Sequence, residues 1–140
     1  MSSRSKQTVL VVDDNAAHRY ATMRGLSKAG FRIIEAANGT QALESAEGAD
    51  AVVLDLFLPD LDGREVCRRL RARPATANLP IVHVTSVYVT EHDREECRRA
   101  GGDDFMVSPV LPQELAVTLD ALIARRAGKG GPAPAPDAPA

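Results

Sequence analysis

Residues 51–63 have the sequence AVVLDLFLPDLDG, an apolar run that ends in the carboxylate of Asp55 and then breaks into a turn. The uncharged, valine-rich residues before Asp55 predict a short strand that is buried on both faces of a parallel sheet. Pro59 and Gly63 supply the fixed and the permissive backbone angles that a tight loop needs before the next helix. Ligands of open α/β sheets bind at the carboxyl ends of the strands, so Asp55 is predicted to lie in a binding crevice. The alternative is that Asp55 only caps a turn or the following helix.

Strand-like and helical segments alternate along the rest of the chain. Strands are predicted at residues 8–12, 31–36, 51–54, 80–86 and 104–107. Helices are predicted at residues 16–29, 41–47, 64–72, 91–100 and 112–127. Five repeats of strand and helix predict an α/β fold, a doubly wound five-stranded parallel sheet with right-handed crossovers.

The chain of 140 residues is long enough for one domain with a core of its own. We expect residues 1–7 to be a disordered N-terminus and residues 8–127 to form the domain. Residues 128–140 are rich in Pro, Ala and Gly, which predicts a disordered tail or a linker.

Charge and hydropathy argue against several classes of partner. There are 17 basic and 19 acidic residues, so the formal net charge is −2 and the chain has no general attraction for phosphate backbones. The sequence has no signal peptide and no apolar run of transmembrane length. We therefore expect a cytoplasmic protein that binds neither nucleic acid nor a membrane. Cys67 and Cys97 have no CxxC or Cys/His companion that would predict a metal site or a disulfide.

Polar residues follow four of the five predicted strands. Asp13 and Asp14 follow the first strand, Asp55 the third, Thr85 ends the fourth and Ser108 follows the fifth. Three carboxylates and a hydroxyl at one edge of a sheet suit a hard divalent cation such as Mg²⁺. A carboxylate nucleophile beside Mg²⁺ is the arrangement that accepts a phosphoryl group as an aspartyl phosphate. No P-loop and no GxGxxG motif is present, so nucleotide binding has little support.

Four motifs at these strand ends resemble, in order and spacing, the receiver domain of two-component response regulators. The motifs are VVDDN at residues 11–15, VLDLFLPDLDG at 53–63, VTS at 84–86 and GGDDFMVSP at 101–109. The resemblance covers about residues 7–127 and implies a CheY-like, flavodoxin-like (βα)5 fold with strand order 2-1-3-4-5. It implies a phosphoacceptor signalling domain with slow self-dephosphorylation rather than an enzyme.

The resemblance also implies a role for each acidic residue. Asp55 would be phosphorylated by a histidine kinase or by a phosphotransfer protein. Asp14, Asp55 and the backbone carbonyl of Phe57 would ligate Mg²⁺, while Asp13 would act through a bound water.

The remaining family positions concern the response to phosphorylation. Thr85 would supply the hydroxyl that meets a phosphoryl oxygen, and the small Ser86 would leave the phosphoryl group accessible. Phe105 matches an aromatic switch position that packs inward or outward as Thr85 moves; the alternative is an ordinary core phenylalanine. The output partner, a downstream protein or a second copy of the chain, would bind the face made by the fourth helix, fifth strand and fifth helix.

One position departs from the family pattern. Receivers carry a lysine before the proline that follows the fifth strand, whereas this chain has Ser108 before Pro109. A serine offers a hydrogen bond but no charge, so the acidic site loses a full positive charge. We expect phosphoryl transfer to persist and its coupling to a change of shape to weaken. A second function stays open for this reason: a pseudo-receiver that binds its partner without phosphorylation.

The histidines and arginines carry no further chemistry in this interpretation. His83 lies within the fourth predicted strand and is expected to be a buried, hydrogen-bonded histidine rather than a replacement for the absent lysine. His18 and His92 lie in polar helical surroundings and receive no role. The helix after Gly63 is expected to present a solvated face that carries Arg68, Arg69 and Arg71.

Overall fold

The chain folds into five strands and five α-helices that alternate along the sequence. In the computed structural model, which describes residues 3–87 and 89–128, the strands are β1 (Thr8–Val12), β2 (Arg32–Ala36), β3 (Ala51–Leu54), β4 (Ile81–Thr85) and β5 (Asp104–Val107). The helices are α1 (Ala16–Lys28), α2 (Gly39–Ser45), α3 (Gly63–Arg71), α4 (Glu91–Arg99) and α5 (Pro112–Gly128). All neighbouring strands pair in parallel, in the order β2-β1-β3-β4-β5. The predicted architecture and strand order are confirmed. None of the helices in the described ranges is long and apolar enough to cross a membrane.

The sheet separates two apolar clusters, one on each face. Alternate residues of β1 point to opposite faces: Leu10 and Val12 pack in the cluster under α2 and α3, while Val9 and Val11 pack in the cluster under α1 and α5. All four residues of β3 are buried as well. The apolar runs of the sequence therefore correspond to strands that are covered on both faces, as the pattern predicts.

Gly63 is required by the close approach of the chain to itself after β3. A Cβ atom on Gly63 would lie 2.2 Å from the carbonyl oxygen of Asp55. The Gly63 N–H donates to the carbonyl of Leu56 at 2.8 Å and closes the loop, and Asp62 caps α3 by accepting from the N–H of Arg64 at 2.8 Å. The sequence predicts a permissive backbone angle at Gly63; the structure uses its missing side chain instead.

The same loop is tied to the amino end of α2. The Asp60 carboxylate accepts hydrogen bonds from the N–H of Gly39 at 2.7 Å and of Thr40 at 2.9 Å. The Thr40 hydroxyl and these N–H groups lower the pKa of Asp60 to about 2. The predicted turn at Asn38 and Gly39 is instead the start of a helix, with Asn38 as its N-cap.

Residues 3–6, part of the segment expected to be disordered, have a defined structure. Residues Ser3–Lys6 form a short 3-10 helix. The Arg4 guanidinium donates to the Asp120 carboxylate at 3.1 Å and to the carbonyl of Ala29 at 3.0 Å. This segment is therefore anchored to the end of α1 and to the middle of α5 by bonds between residues far apart in sequence. The predicted tail falls almost entirely outside the described residues, and its first residue, Gly128, ends α5.

Arg71 does not belong to a solvated face. Arg68 and Arg69 are exposed, but the Arg71 guanidinium donates to the carbonyl of Leu79 at 2.6 Å and to that of Gly101 at 2.8 Å. It joins the end of α3 to the segments that precede β4 and β5. The expectation of solvation is wrong for Arg71, because carbonyl groups distant in sequence converge on it.

His83 is fully buried in β4. Neither ring nitrogen has a hydrogen-bond partner among the described residues, so the burial that the sequence predicts is confirmed and the predicted hydrogen bond is not present. Burial lowers the pKa of His83 from 6.5 to about 4, because the charged imidazolium would lose its solvation there. The folded protein therefore holds His83 in its neutral form at neutral pH.

We expect His83 to make the stability depend on pH. As the pH falls, the unfolded chain binds a proton on His83 before the folded chain does, so folding loses stability from about pH 6.5 down to the folded pKa near 4. Between pH 7 and pH 5 this loss amounts to about 2 kcal/mol. His83→Met should remove it, measured as the free energy of unfolding in urea. The exposed His92→Met is the control and should retain the loss. An equal pH dependence with and without His83 would contradict this assignment.

Candidate metal centre at the carboxyl edge of the sheet

Three carboxylates converge where β1 and β3 end. The strands are neighbours, and the Asp55 N–H donates to the carbonyl of Val12 at 3.0 Å. Asp13, Asp14 and Asp55 each offer one oxygen that lies within 4.8 Å of those of the other two. Asp13 is buried, Asp55 is partly buried and Asp14 is exposed. The sheet order therefore brings together the acidic residues that the sequence placed at two strand ends.

Burial and repulsion make the ionised form of Asp55 costly. The pKa of Asp55 is raised from 3.8 to about 6, first by burial and then by the charge of Asp13. The N–H of Phe57, 3.4 Å from the Asp55 carboxylate, partly offsets this rise. A bound cation would relieve the same repulsion at neutral pH.

The donor set suits a hard divalent cation. Mg²⁺ prefers oxygen ligands, uses few of them from the protein and keeps several waters. Two of the three carboxylates are open to water, as such a partly hydrated ion requires. Phe57 lies in the loop over the site, and its backbone bridges that of Asp62 in antiparallel fashion. The residues present thus fit Mg²⁺ by their chemistry and their grouping.

Thr85 and Ser86 lie at the same edge of the sheet. Thr85 ends β4, beside β3, and its side chain is buried; its hydroxyl accepts from the N–H of Val87 at 3.4 Å. Ser86 is exposed. The structure thus places a buried hydroxyl at the end of the strand beside β3 and a small, exposed side chain directly after it.

Phe105 lies on β5, an edge strand of the sheet. It is partly buried and belongs to neither apolar cluster, which argues against an ordinary core phenylalanine. The guanidinium carbon of Arg94 in α4 lies 4.7 Å from the centroid of its ring, a distance typical of a cation–π contact. Phe105 therefore connects β5 with α4.

Ser108 has a partner that sequence reasoning missed. Its hydroxyl oxygen lies 2.9 Å from Nε2 of His18, and the Nδ1 atom of His18 is hydrogen-bonded to the Asp13 carboxylate. His18 is the third residue of α1, whose N-cap Asn15 accepts from the His18 N–H at 2.9 Å. A signal was available: the first turn of a helix that follows an acidic strand end lies over the same edge of the sheet.

We expect Asp55→Asn to stabilise the metal-free protein at pH 7. The folded pKa of about 6 exceeds the ordinary 3.8, so ionisation above pH 6 costs the folded state more than the unfolded one. The full shift corresponds to about 3 kcal/mol, which solvent screening of a partly exposed group reduces to about 1 to 2 kcal/mol. The gain should vanish near pH 3, where Asp55 is protonated in both the folded and the unfolded state.

The measurement is urea unfolding in EDTA at both pH values. Asp14→Asn, at the exposed carboxylate, is the matched control and should give a smaller gain. A variant at position 55 that is no more stable than the unsubstituted protein at pH 7 would refute the electrostatic account of the site.

Comparison with known families gives a match over most of the chain. Residues 9–120 match the family model of the response regulator receiver domain. The chain is 36% identical over 127 residues to the transcriptional regulatory protein ResD of Bacillus subtilis (strain 168), covering 89% of this chain and 51% of the relative. It is 38% identical over 126 residues to the response regulator MprA of Mycobacterium sp. (strain KMS), covering 89% and 54%. The chain thus spans about half the length of these curated relatives.

Solved structures show the same fold. The receiver domain of sensor histidine kinase PA1611 from Pseudomonas aeruginosa PAO1, determined with a magnesium ion coordinated in its active site cleft, is 34% identical with a TM-score of 0.77, covering 84% of this chain and 98% of that one. A CheY-like receiver domain protein from Methanospirillum hungatei JF-1 has a TM-score of 0.80 at 23% identity, covering 89% and 98%, and supports the fold alone.

Proposed function

The chain belongs to the response regulator receiver domain family of two-component signalling, and we propose that Asp55 accepts a phosphoryl group from a histidine kinase or a phosphotransfer protein. The observation that carries this proposal is the convergence of Asp13, Asp14 and Asp55 within 4.8 Å at the carboxyl edge of the sheet. Asp55 directly follows the central strand β3, at the start of a loop that Gly63 closes tightly.

The acidic residues would bind the metal in two ways, directly and through a water molecule. Asp14, Asp55 and the backbone carbonyl of Phe57 would hold Mg²⁺, and Asp13 would act through a bound water. When bound, Mg²⁺ supplies positive charge that offsets the carboxylates and the phosphoryl oxygens. The grouping of the carboxylates and the raised pKa of Asp55 support this assignment.

Phosphoryl transfer needs the ionised form of Asp55. With a pKa of about 6 in the absence of metal, the carboxylate is available as a nucleophile at neutral pH. One Asp55 oxygen attacks the phosphorus of a phosphohistidine, the new O–P bond forms, and the P–N bond breaks with its electrons returning to the imidazole. The Thr85 hydroxyl would then donate to a phosphoryl oxygen, and the exposed Ser86 leaves that side of the site open.

The output would be a protein contact on the face made by α4, β5 and α5. Val107 and Leu111 are exposed apolar residues near this face, 43% and 58% accessible. Phe105, which Arg94 covers, would change its packing as Thr85 moves. The partner is a downstream protein or a second copy of the chain. The net charge of −2 argues against contact of this domain with nucleic acid. We propose that the domain acts in the cytoplasm.

A second function is favoured by one observation, the serine at the position of the family's lysine. The ammonium group of that lysine would stabilise the phosphorylated protein in one conformation more than in the other. Without it, phosphorylation shifts the equilibrium between the two conformations less. The domain would then be a pseudo-receiver that binds its partner constitutively. The presence of all three acidic residues favours the phosphoacceptor function over the pseudo-receiver.

Intact-protein mass spectrometry after incubation with Mg²⁺ and acetyl phosphate distinguishes the two functions. We expect a gain of one phosphoryl group, about 80 Da, in the unsubstituted protein and none in Asp55→Asn. Equal labelling of both proteins would place the acceptor elsewhere. No labelling by acetyl phosphate or by a phosphohistidine donor would favour constitutive binding.

The affinity for Mg²⁺ should fall in acid. One proton must leave Asp55 before metal binds, so we expect the affinity to drop about tenfold per pH unit below pH 6. Calorimetric titrations between pH 7.5 and pH 5 test this, with Asp55→Asn as a control that binds weakly and lacks this part of the pH dependence. A constant affinity across the range would exclude Asp55 as a ligand.

A further inference from the structure

Ser108 is fixed by its backbone at the carboxyl ends of two strands. It directly follows β5, and its N–H donates to the carbonyl of Thr85, the last residue of β4, at 2.7 Å. Its side chain is partly buried. The hydroxyl of Ser108 is therefore presented from a defined backbone position.

The imidazole of His18 lies between that hydroxyl and the acidic cluster, which consists of Asp13, Asp14 and Asp55. Nε2 lies 2.9 Å from the Ser108 hydroxyl oxygen, and Nδ1 is hydrogen-bonded to the carboxylate of Asp13. The ring is planar and rigid, and Asn15 holds the His18 backbone in the first turn of α1. The three side chains make a continuous hydrogen-bonded path from the end of β1 to the end of β5.

The path joins the two places that the family's lysine joins. A lysine at position 108 would reach from the end of β5 to the acidic residues; here a shorter serine and a histidine from α1 cover that span. Partial shielding from water strengthens such hydrogen bonds, and the Asp13 side chain is only 9% exposed. The link is made by residues 90 positions apart in the sequence.

The order carboxylate, imidazole and hydroxyl also activates the serine nucleophile of hydrolases. An alkoxide on Ser108 would form one side chain away from the three clustered carboxylates, which would raise its energy. The electrostatics of the site therefore favour a positioning role for the path over nucleophilic catalysis.

We propose that His18 is a positioning residue that, with Ser108, couples the acidic cluster to the carboxyl end of β5 in place of the absent lysine. A movement of Asp13 when a cation binds is passed through the His18 ring to Ser108, and from there to β5. This inference rests on the proposed function, because it takes the acidic cluster as the site of Mg²⁺ and phosphoryl binding.

The test uses Mg²⁺ alone and follows backbone amide chemical shifts by NMR. In the unsubstituted protein, we expect Mg²⁺ to shift the amides of Leu56, beside the site, and of Val107 and Ser108. In His18→Leu the shift at Leu56 should remain, while those at Val107 and Ser108 should fall about threefold. His18→Gln, which keeps a donor for Asp13 and an acceptor for Ser108, should retain most of the response.

A double-mutant comparison separates a path from two independent effects. Ser108→Ala should reduce the shift at Val107 as much as His18→Leu does, and the double variant should lose no more than either single one. His92→Leu, at an exposed histidine in α4, is the matched control and should behave as the unsubstituted protein. Dispersed amide spectra verify that each variant is folded.

Four results would overturn the inference. A full response at Val107 in His18→Leu, or losses that add in the double variant, would reject the path while leaving the metal site intact. Equal losses in His18→Leu and His18→Gln would show that hydrogen bonding does not carry the coupling. An unsubstituted protein that does not respond to Mg²⁺ at any amide would reject the proposed metal site itself, and the inference with it.

Discussion

The mutual repulsion of three carboxylates at one edge of a parallel sheet is the constraint on which the rest of this site depends. The order of the sheet sets β1 beside β3, and their carboxyl ends bring Asp13, Asp14 and Asp55 within 4.8 Å of one another. Nothing local favours this grouping, since burial and like charge both raise the pKa of Asp55. The buried apolar residues of the two strands hold the carboxylates together against that cost. Such a group of carboxylates is suited to bind a cation, whose positive charge would offset their repulsion.

The loop after β3 holds Asp55 in a defined position. Gly63 lets the chain pass close to the carbonyl of Asp55, and Asp60 ties the far side of the loop to the amino end of α2. Asp62 caps α3 at the same time. The Asp55 carboxylate therefore lies at the start of a loop that is anchored at several points, as is typical of binding residues that a rigid scaffold positions.

Ser108 stands where the family's lysine would contribute both charge and a link to the acidic residues. In the proposed coupling, the hydrogen bonds of His18 to Asp13 and Ser108 would supply the link without the charge. On the proposed output face, the guanidinium of Arg94 lies against the ring of Phe105. Under the proposed function, phosphoryl transfer and the transmission of its effect would depend on different groups, so one could persist while the other weakens.

The sequence by itself determined the five strands, the double-sided burial of β1 and β3, the burial of His83 and the set of acidic residues at the strand ends. These features follow from residue type and from the period of two or 3.6 residues, which are local properties of the chain. Only the tertiary structure decided that Arg71 gathers carbonyl groups, that Arg4 anchors the N-terminus to Asp120, and that His18 meets Ser108. The last two pairs lie 116 and 90 positions apart in the sequence, and Arg71 and Gly101 lie 30 positions apart. No local pattern records a partner at that distance, because such contacts exist only once the sheet has brought the ends of its strands together.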